Sequence, residues 1–164
     1  METPKFKATL AGSAWFSAGL KMLKYFEPIA RRKLTDEWKA AERLKPELII
    51  YHPKAIAAPH LREKLGFPTV LASPLSGFMP TKAFASPMVP FRSLGPLNPL
   101  THVVMANGAD TLFKGMIEEW RAAELGLTSR PARRLRPQAT LYAYSPSIIP
   151  APDDWPESVV VTGY

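Results

Sequence analysis

Three histidines, an adjacent pair of carboxylates, a run of hydroxyl side chains and a cluster of arginines are the residue types in this chain that could do chemistry. His52 closes an apolar run just before Pro53-Lys54, where an imidazole could contact a substrate hydroxyl or act as its general base. It could equally be a structural histidine, hydrogen-bonded at a strand edge. Asp153-Asp154 is a possible carboxylate pair, but the two are neighbours between Pro152 and Trp155, a setting that suits a turn cap. His52, His60 and His102 have no cysteine and no compact carboxylate pattern around them, so no metal site is expected. Neither G-x-G-x-x-G nor a P-loop occurs. No catalytic residue is assigned. The binding candidates are His52, Ser73, Ser76, Phe78, Thr81 and Phe84. In this set the aromatics, with Met79, Met88 and Phe91, would line an apolar pocket and the hydroxyls would anchor a polar group, while Lys82 faces water. The alternative is that the aromatics pin their loop to the core.

These residues need a scaffold, and the apolar pattern predicts one. Glu47-Leu-Ile-Ile-Tyr51 reads as a buried strand, residues 55–65 as a helix closed by Gly66, and Phe67-Pro-Thr-Val-Leu-Ala72 as a second strand. Strand, helix and strand at this spacing make a parallel βαβ unit. Residues 73–99 hold six of the eighteen prolines, with Gly77 and Gly95 besides, and read as an extended loop of functional length. Helix returns over 100–125 and stops at Gly126; strands follow at 139–144 and 158–162. Upstream, the stretch from Phe6 to Lys33 reads as a loosely amphipathic helix that meets the helix breaker Pro28. A separate helix, capped by Thr35 and stopped by Pro46, carries Trp38, Ala41 and Leu44 on one face. No internal repeat is seen. The division is a basic helical segment over 1–46 and an α/β domain over 47–164.

Composition narrows the class. At 164 residues with 46% apolar content, the chain can bury a real core. It has no cysteine, which excludes disulfides and fits a reducing, cytoplasmic setting. The stretch Ala8–Leu20 is too short and too polar to span a bilayer. Net charge is +7. Residues 1–34 hold seven Lys/Arg against Glu2 and Glu27, and Arg130, Arg133, Arg134 and Arg136 lie in an acid-free stretch. Such patches could meet an anionic membrane, or be no more than a solvated basic surface. Nucleic acid is disfavoured, because no recognised binding module accompanies the charge.

Three collinear runs, IIYHPKAIAAPHLREKLGFPTVLASPLSGFMPT, AFASPMVPF and LYAYSPSIIPAPDDWPESVVVTGY, resemble the N-terminal half of sterol- and lipid-type UDP-sugar glycosyltransferases over about residues 45–164. Most specific are the Tyr-Ser-Pro-Ser-x-x-Pro-x-Pro-x-Asp-Trp stretch and the Ser-Pro…Phe-x-Pro-Thr loop. The resemblance implies a Rossmann-like, mainly parallel sheet of about four strands with flanking helices, forming part of an acceptor-side domain. It further implies transfer of a hexose from a UDP-sugar to a hydroxyl of a sterol, lipid or other hydrophobic acceptor, without a metal or other cofactor. The acceptor would enter at the carboxyl ends of the strands, where open parallel sheets bind their ligands. These ends are His52-Pro53-Lys54, Ser73–Thr81 and Ser145–Ser147.

The departures set further expectations. The family's opening strand with its Gly-rich, Arg-Gly-Asp type loop and its base is not found ahead of Glu47, and no donor domain follows Tyr164. The chain is therefore expected to act as a fragment or half that does not turn over alone, with an exposed sheet edge. The other reading is a non-catalytic acceptor- or membrane-binding module that works with a separate donor-binding chain.

Overall fold

The computed structural model describes residues 14–90, 92–128 and 136–163, with side chains from Phe26 onward except at 109 and 110. Helix α1 (Ala14–Leu44) leads into strand β1 (Ile49–Tyr51), helix α2 (Ala58–Leu65) and strand β2 (Thr69–Ser73). A long loop carrying one 3-10 turn (Gly95–Leu97) then reaches helix α3 (Asn98–Leu112). Helix α4 (Lys114–Trp120), its π-helical continuation Arg121–Leu125, strand β3 (Ala139–Tyr142) and strand β4 (Val159–Val161) complete the order. The sheet runs β1-β2-β3-β4 and every pair is parallel, with Ile49 beside Thr69, Val70 beside Ala139 and Thr140 beside Val159. This is the expected α/β, Rossmann-like arrangement.

Local chemistry explains most boundaries. Gly66 takes φ +79, a left-handed conformation that costs a side chain about 1–2 kcal/mol, and its N–H bonds Arg62 O to end α2. Gly126 repeats the device at φ 65, closing the π-turn on Arg121 O. The expected break at Pro28 is absent, and α1 runs through it as one helix. Pro28 is itself exposed, so its ring does not have to be fitted into the core. Thr35 is thus a mid-helix residue, not a cap: its hydroxyl donates to Glu124 Oε1 at 2.6 Å. The helix expected over 100–125 is broken at Phe113, whose ψ of 18 leaves the helical region.

Leu34 and Ala41 of α1, Leu61 of α2, Phe67, and Met116, Ile117, Trp120 and Leu125 of α4 and its π-turn form one core. Beside it Arg121, 3% exposed, locks α4 to α2. Its Nη1 donates to Glu63 Oε2 at 2.6 Å and its Nη2 to Glu63 Oε1 at 3.1 Å, a two-pronged ion pair. Nη1 also lies 2.9 Å from His60 Nδ1. A guanidinium cannot accept, so Nδ1 is the acceptor and His60 is neutral with its proton on Nε2. Burial, then the neighbouring Arg121 charge, pushes the His60 pKa down to about 4. The edge strands are less covered: Ile50 of β1 is 61% exposed and Val160 of β4 46%. A groove of about 360 Å³ runs between α1 and β1, lined by Leu44, Pro46, Ile50 and His52 among others.

Candidate functional site

The carboxyl ends of β2 and β3 hold the side chains that sequence reasoning singled out. Ser73 ends β2 and turns the chain through its own hydroxyl, which donates to Leu75 O at 2.9 Å and accepts from Leu75 N at 3.1 Å. The loop then returns over β3, where Met79 N donates to the phenol oxygen of fully buried Tyr142 at 2.9 Å. Burial pushes the Tyr142 phenol up to about 12.

Two further ties hold the loop. Thr81 Oγ1 donates to Asp154 Oδ1 at 2.6 Å, and Lys82 N donates to Asp154 Oδ2 at 2.8 Å. These two bonds, the Thr81 one first, hold the Asp154 carboxyl below its ordinary 3.8. Asp154 is therefore a clamp between segments more than seventy residues apart, not the local turn cap expected of it. The second tie is to α3. Asn98 Nδ2 donates to Lys82 O at 2.9 Å, Ser86 N donates to Thr101 Oγ1 at 2.8 Å, and His102 Nε2 donates to Phe84 O at 3.0 Å.

An aromatic wall stands inside this frame. Trp155 lies 5.1 Å from Tyr142 and 6.4 Å from Phe84, ring centre to ring centre; Tyr142 lies 5.8 Å from Tyr144, and Phe84 the same distance from His102. Among the described residues six buried side-chain polar atoms have no hydrogen-bond partner; Ser76 Oγ, His102 Nδ1, Tyr144 Oη and Trp155 Nε1 belong to the loop, α3 and the wall, and the others are Asn107 Oδ1 and Trp120 Nε1. Buried polar atoms are nearly always satisfied in folded proteins, so the first four carry hydrogen-bonding capacity that the described residues leave unspent.

Five of the six expected binding residues, Ser73, Ser76, Phe78, Thr81 and Phe84, thus share one loop system. In it, Ser76 presents an unspent hydroxyl and Phe84 a ring of the wall, whereas Ser73 and Thr81 spend theirs shaping the loop. His52 stands apart, exposed at the end of β1, with Nδ1 accepting from Lys54 N at 3.1 Å. Of the four arginines, Arg130, Arg133 and Arg134 lie outside the described residues; Arg136 is exposed and its carbonyl accepts a bond from Arg62. Sequence reasoning missed Tyr142, Tyr144, His102 and Trp155 as a group. The signal was there for Trp155 and the tyrosines, which all fall in the most specific of the three resembling runs. Among the described residues no group of three or more His, Asp or Glu side chains could hold a metal ion, and no helix is long and apolar enough to cross a membrane.

Loosening the Asp154 clamp gives a direct check. Asp154→Ala is expected to raise the rate of tryptic cleavage after exposed Lys82 several-fold, with unchanged secondary structure by circular dichroism. Because the folded carboxyl titrates below its ordinary value, the clamp's contribution is complete above pH 3.8 and is lost as pH falls through the depressed value. Equal cleavage of variant and parent at neutral pH would show that the clamp does not hold the loop.

No family model matches the chain. Among curated proteins, it is 34% identical over 139 residues to a sterol 3-beta-glucosyltransferase of Emericella nidulans, covering 80% of this chain and 10% of that protein. A sterol 3-beta-glucosyltransferase of Aspergillus fumigatus is 31% identical over 135 residues, covering 80% of this chain and 9% of its own length. The UDP-sugar-dependent glycosyltransferase 52 of Dictyostelium discoideum is 30% identical over 134 residues, with 77% and 8% covered. Over about four-fifths of its length the chain is thus similar to sterol-type UDP-sugar glycosyltransferases, and it spans about a tenth of the length of the curated relatives it matches.

Proposed function

We propose that this chain supplies the acceptor side of glycosyl transfer from a UDP-sugar to a hydroxyl of a sterol or similar hydrophobic molecule. The observation that carries the reading is the aromatic wall of Phe84, Tyr142, Tyr144 and Trp155 at the carboxyl ends of β2 and β3, with unpartnered polar atoms set among its rings. Rings of this kind match the rigid apolar body of such an acceptor, and a few polar atoms suffice to fix its hydroxyl. Ser76, Tyr144 and Trp155 would orient the acceptor. The donor would be held by a separate domain or chain, since no phosphate-cradling motif is present in this sequence.

The test is energy transfer from tryptophan to a fluorescent sterol added to the full chain, with UDP-glucose titrated in parallel. Saturable transfer is expected, without a UDP-glucose response. Tyr144→Phe is expected to weaken sterol binding about fivefold, the value of about one hydrogen bond, while Trp155→Ala weakens it further. A folded chain that shows no saturable transfer would overturn the reading, as would a Tyr144→Phe, Trp155→Ala double variant that binds like the parent. UDP-glucose binding by the chain would overturn the assignment of the donor to another domain.

A further inference from the structure

Helix α3 is built inside out. Towards the protein it presents Asn98 (1% exposed), Thr101 and His102 (0%). Towards solvent it presents Leu100 (56%), Val103 and Val104 (52%), extended by Leu97 (58%) of the preceding 3-10 turn. The inward polar face has a local reason, because Asn98, Thr101 and His102 hold the backbone of the 82–86 segment. The outward face has none within the described residues. Leu97, Leu100 and Val104 recur at helical spacing, so they form one stripe rather than scattered exposed residues. An ordinary surface helix turns such a stripe inward.

The charges that flank α3 in sequence point to what covers it. Between Leu75 and Ile117 the sequence carries Lys82, Arg92 and Lys114 against one acid, Asp110. Lys82, Arg92 and Lys114 are exposed. Lys82 has the Asp154 carboxylate beside it, accepting from its N–H at 2.8 Å, which leaves Arg92 and Lys114 as the cations flanking α3; the next acids in sequence are Glu118 and Glu119 on α4, and Glu119 is engaged by Arg31 at 2.6 Å. An exposed apolar stripe with a cation just before and just after its helix suits the interface of an anionic bilayer, with the apolar residues among the acyl chains and the cations at the headgroups.

We propose that α3, with Leu97, Leu100, Val103 and Val104 inserted and Arg92 and Lys114 at headgroup level, docks this chain on an anionic lipid surface. The docking stands independently of acceptor binding. It would also set the loop that α3 pins against the layer in which a hydrophobic acceptor dissolves.

The experiment is co-sedimentation of the full chain with sterol-free vesicles of phosphatidylcholine, with and without phosphatidylserine, so that its outcome does not depend on the acceptor reading. Pelleting with the anionic vesicles is expected. Leu100→Glu with Val104→Glu should reduce it at least tenfold while leaving the unfolding temperature in place, because both side chains are already exposed. Arg92→Glu with Lys114→Glu should reduce it by about fivefold per cation removed, an effect that added salt abolishes. Pelleting that survives the Leu100/Val104 exchange would overturn the proposal, as would equal binding to purely neutral vesicles. A dimer that the same exchange converts to monomer, without vesicle binding, would overturn it in favour of a second copy of this chain.

Discussion

Replacing Arg121 by alanine is expected to lower the free energy of unfolding by about 3–5 kcal/mol, the usual result of removing one partner of a buried ion pair. Three features put this site at the damaging end. Arg121 is 3% exposed, so water cannot replace it, and it meets Glu63 through two bonds at 2.6 and 3.1 Å. It is also the donor to His60 Nδ1, so its loss leaves both a carboxylate and an imidazole nitrogen unpartnered in the seam between α2 and α4. The check is urea unfolding followed by tryptophan fluorescence, since Trp120 lies beside the cluster with its ring 6.0 Å from that of His60. Adding Glu63→Leu to Arg121→Met should recover much of the loss, because the pair's individual removals leave a charge behind and the joint removal does not. A loss below about 1 kcal/mol for Arg121→Ala, typical of an exposed pair, would show that the seam is open to water.

The second large effect is on acid stability. His60 is neutral when folded, with a pKa of about 4 against 6.5 in ordinary surroundings. As pH falls through 6.5 the unfolded chain takes up a proton that the folded chain refuses, so stability is intact above this value and drains away between pH 6.5 and 4. The full loss is about 3.5 kcal/mol, from a difference of about 2.5 pKa units at about 1.4 kcal/mol each. Below pH 4 both states are protonated at this residue and the loss stops growing. Glu37 works the other way, since burial raises its carboxyl above 4.5 and the folded state there takes up its proton first. Unfolding free energies measured at steps across this range should fall for the parent and stay flatter for His60→Gln. Parallel curves for the two proteins would mean that the imidazole is not the group responsible.

Much of the sheet was legible because its strands announce themselves locally. Ile49-Ile50-Tyr51, Thr69–Ser73 and Val159–Val161 are short apolar or β-branched runs bounded by proline or glycine, and Gly66 and Gly126 stop helices by a conformation that glycine alone adopts cheaply. The helices were harder where tertiary context overrides local grammar. Pro28 signals a stop, yet α1 continues through it, and Thr35 looks like a cap while bonding Glu124 across the fold. The candidate site was half legible. The loop from Ser73 to Phe84 could be found by its prolines and its hydroxyls, but its partners lie on β3 and beyond it. Nothing within a window of a few residues says that Asp154 reaches Thr81, or that Trp155 stacks on Tyr142. The inverted α3 was illegible for the same reason: its buried polar face makes sense once the 82–86 segment is in place against it.

The order of the strands has a consequence for how the molecule is put together. Each strand pairs with the strand next to it in sequence, and all point the same way. Among the described residues no strand must wait for a distant segment to be inserted between its neighbours, so this sheet can grow from one side in the order in which a ribosome delivers it. The segment ending at Ser73 contains both members of the first pair, and β3 and β4 add in turn without opening a pair already made. Shortening the chain from its C-terminus should therefore remove strands one at a time. Loss of β4 would leave the β1-β2-β3 pairings in register, but it would also strip the loop system of Asp154 and Trp155, which lie between β3 and β4.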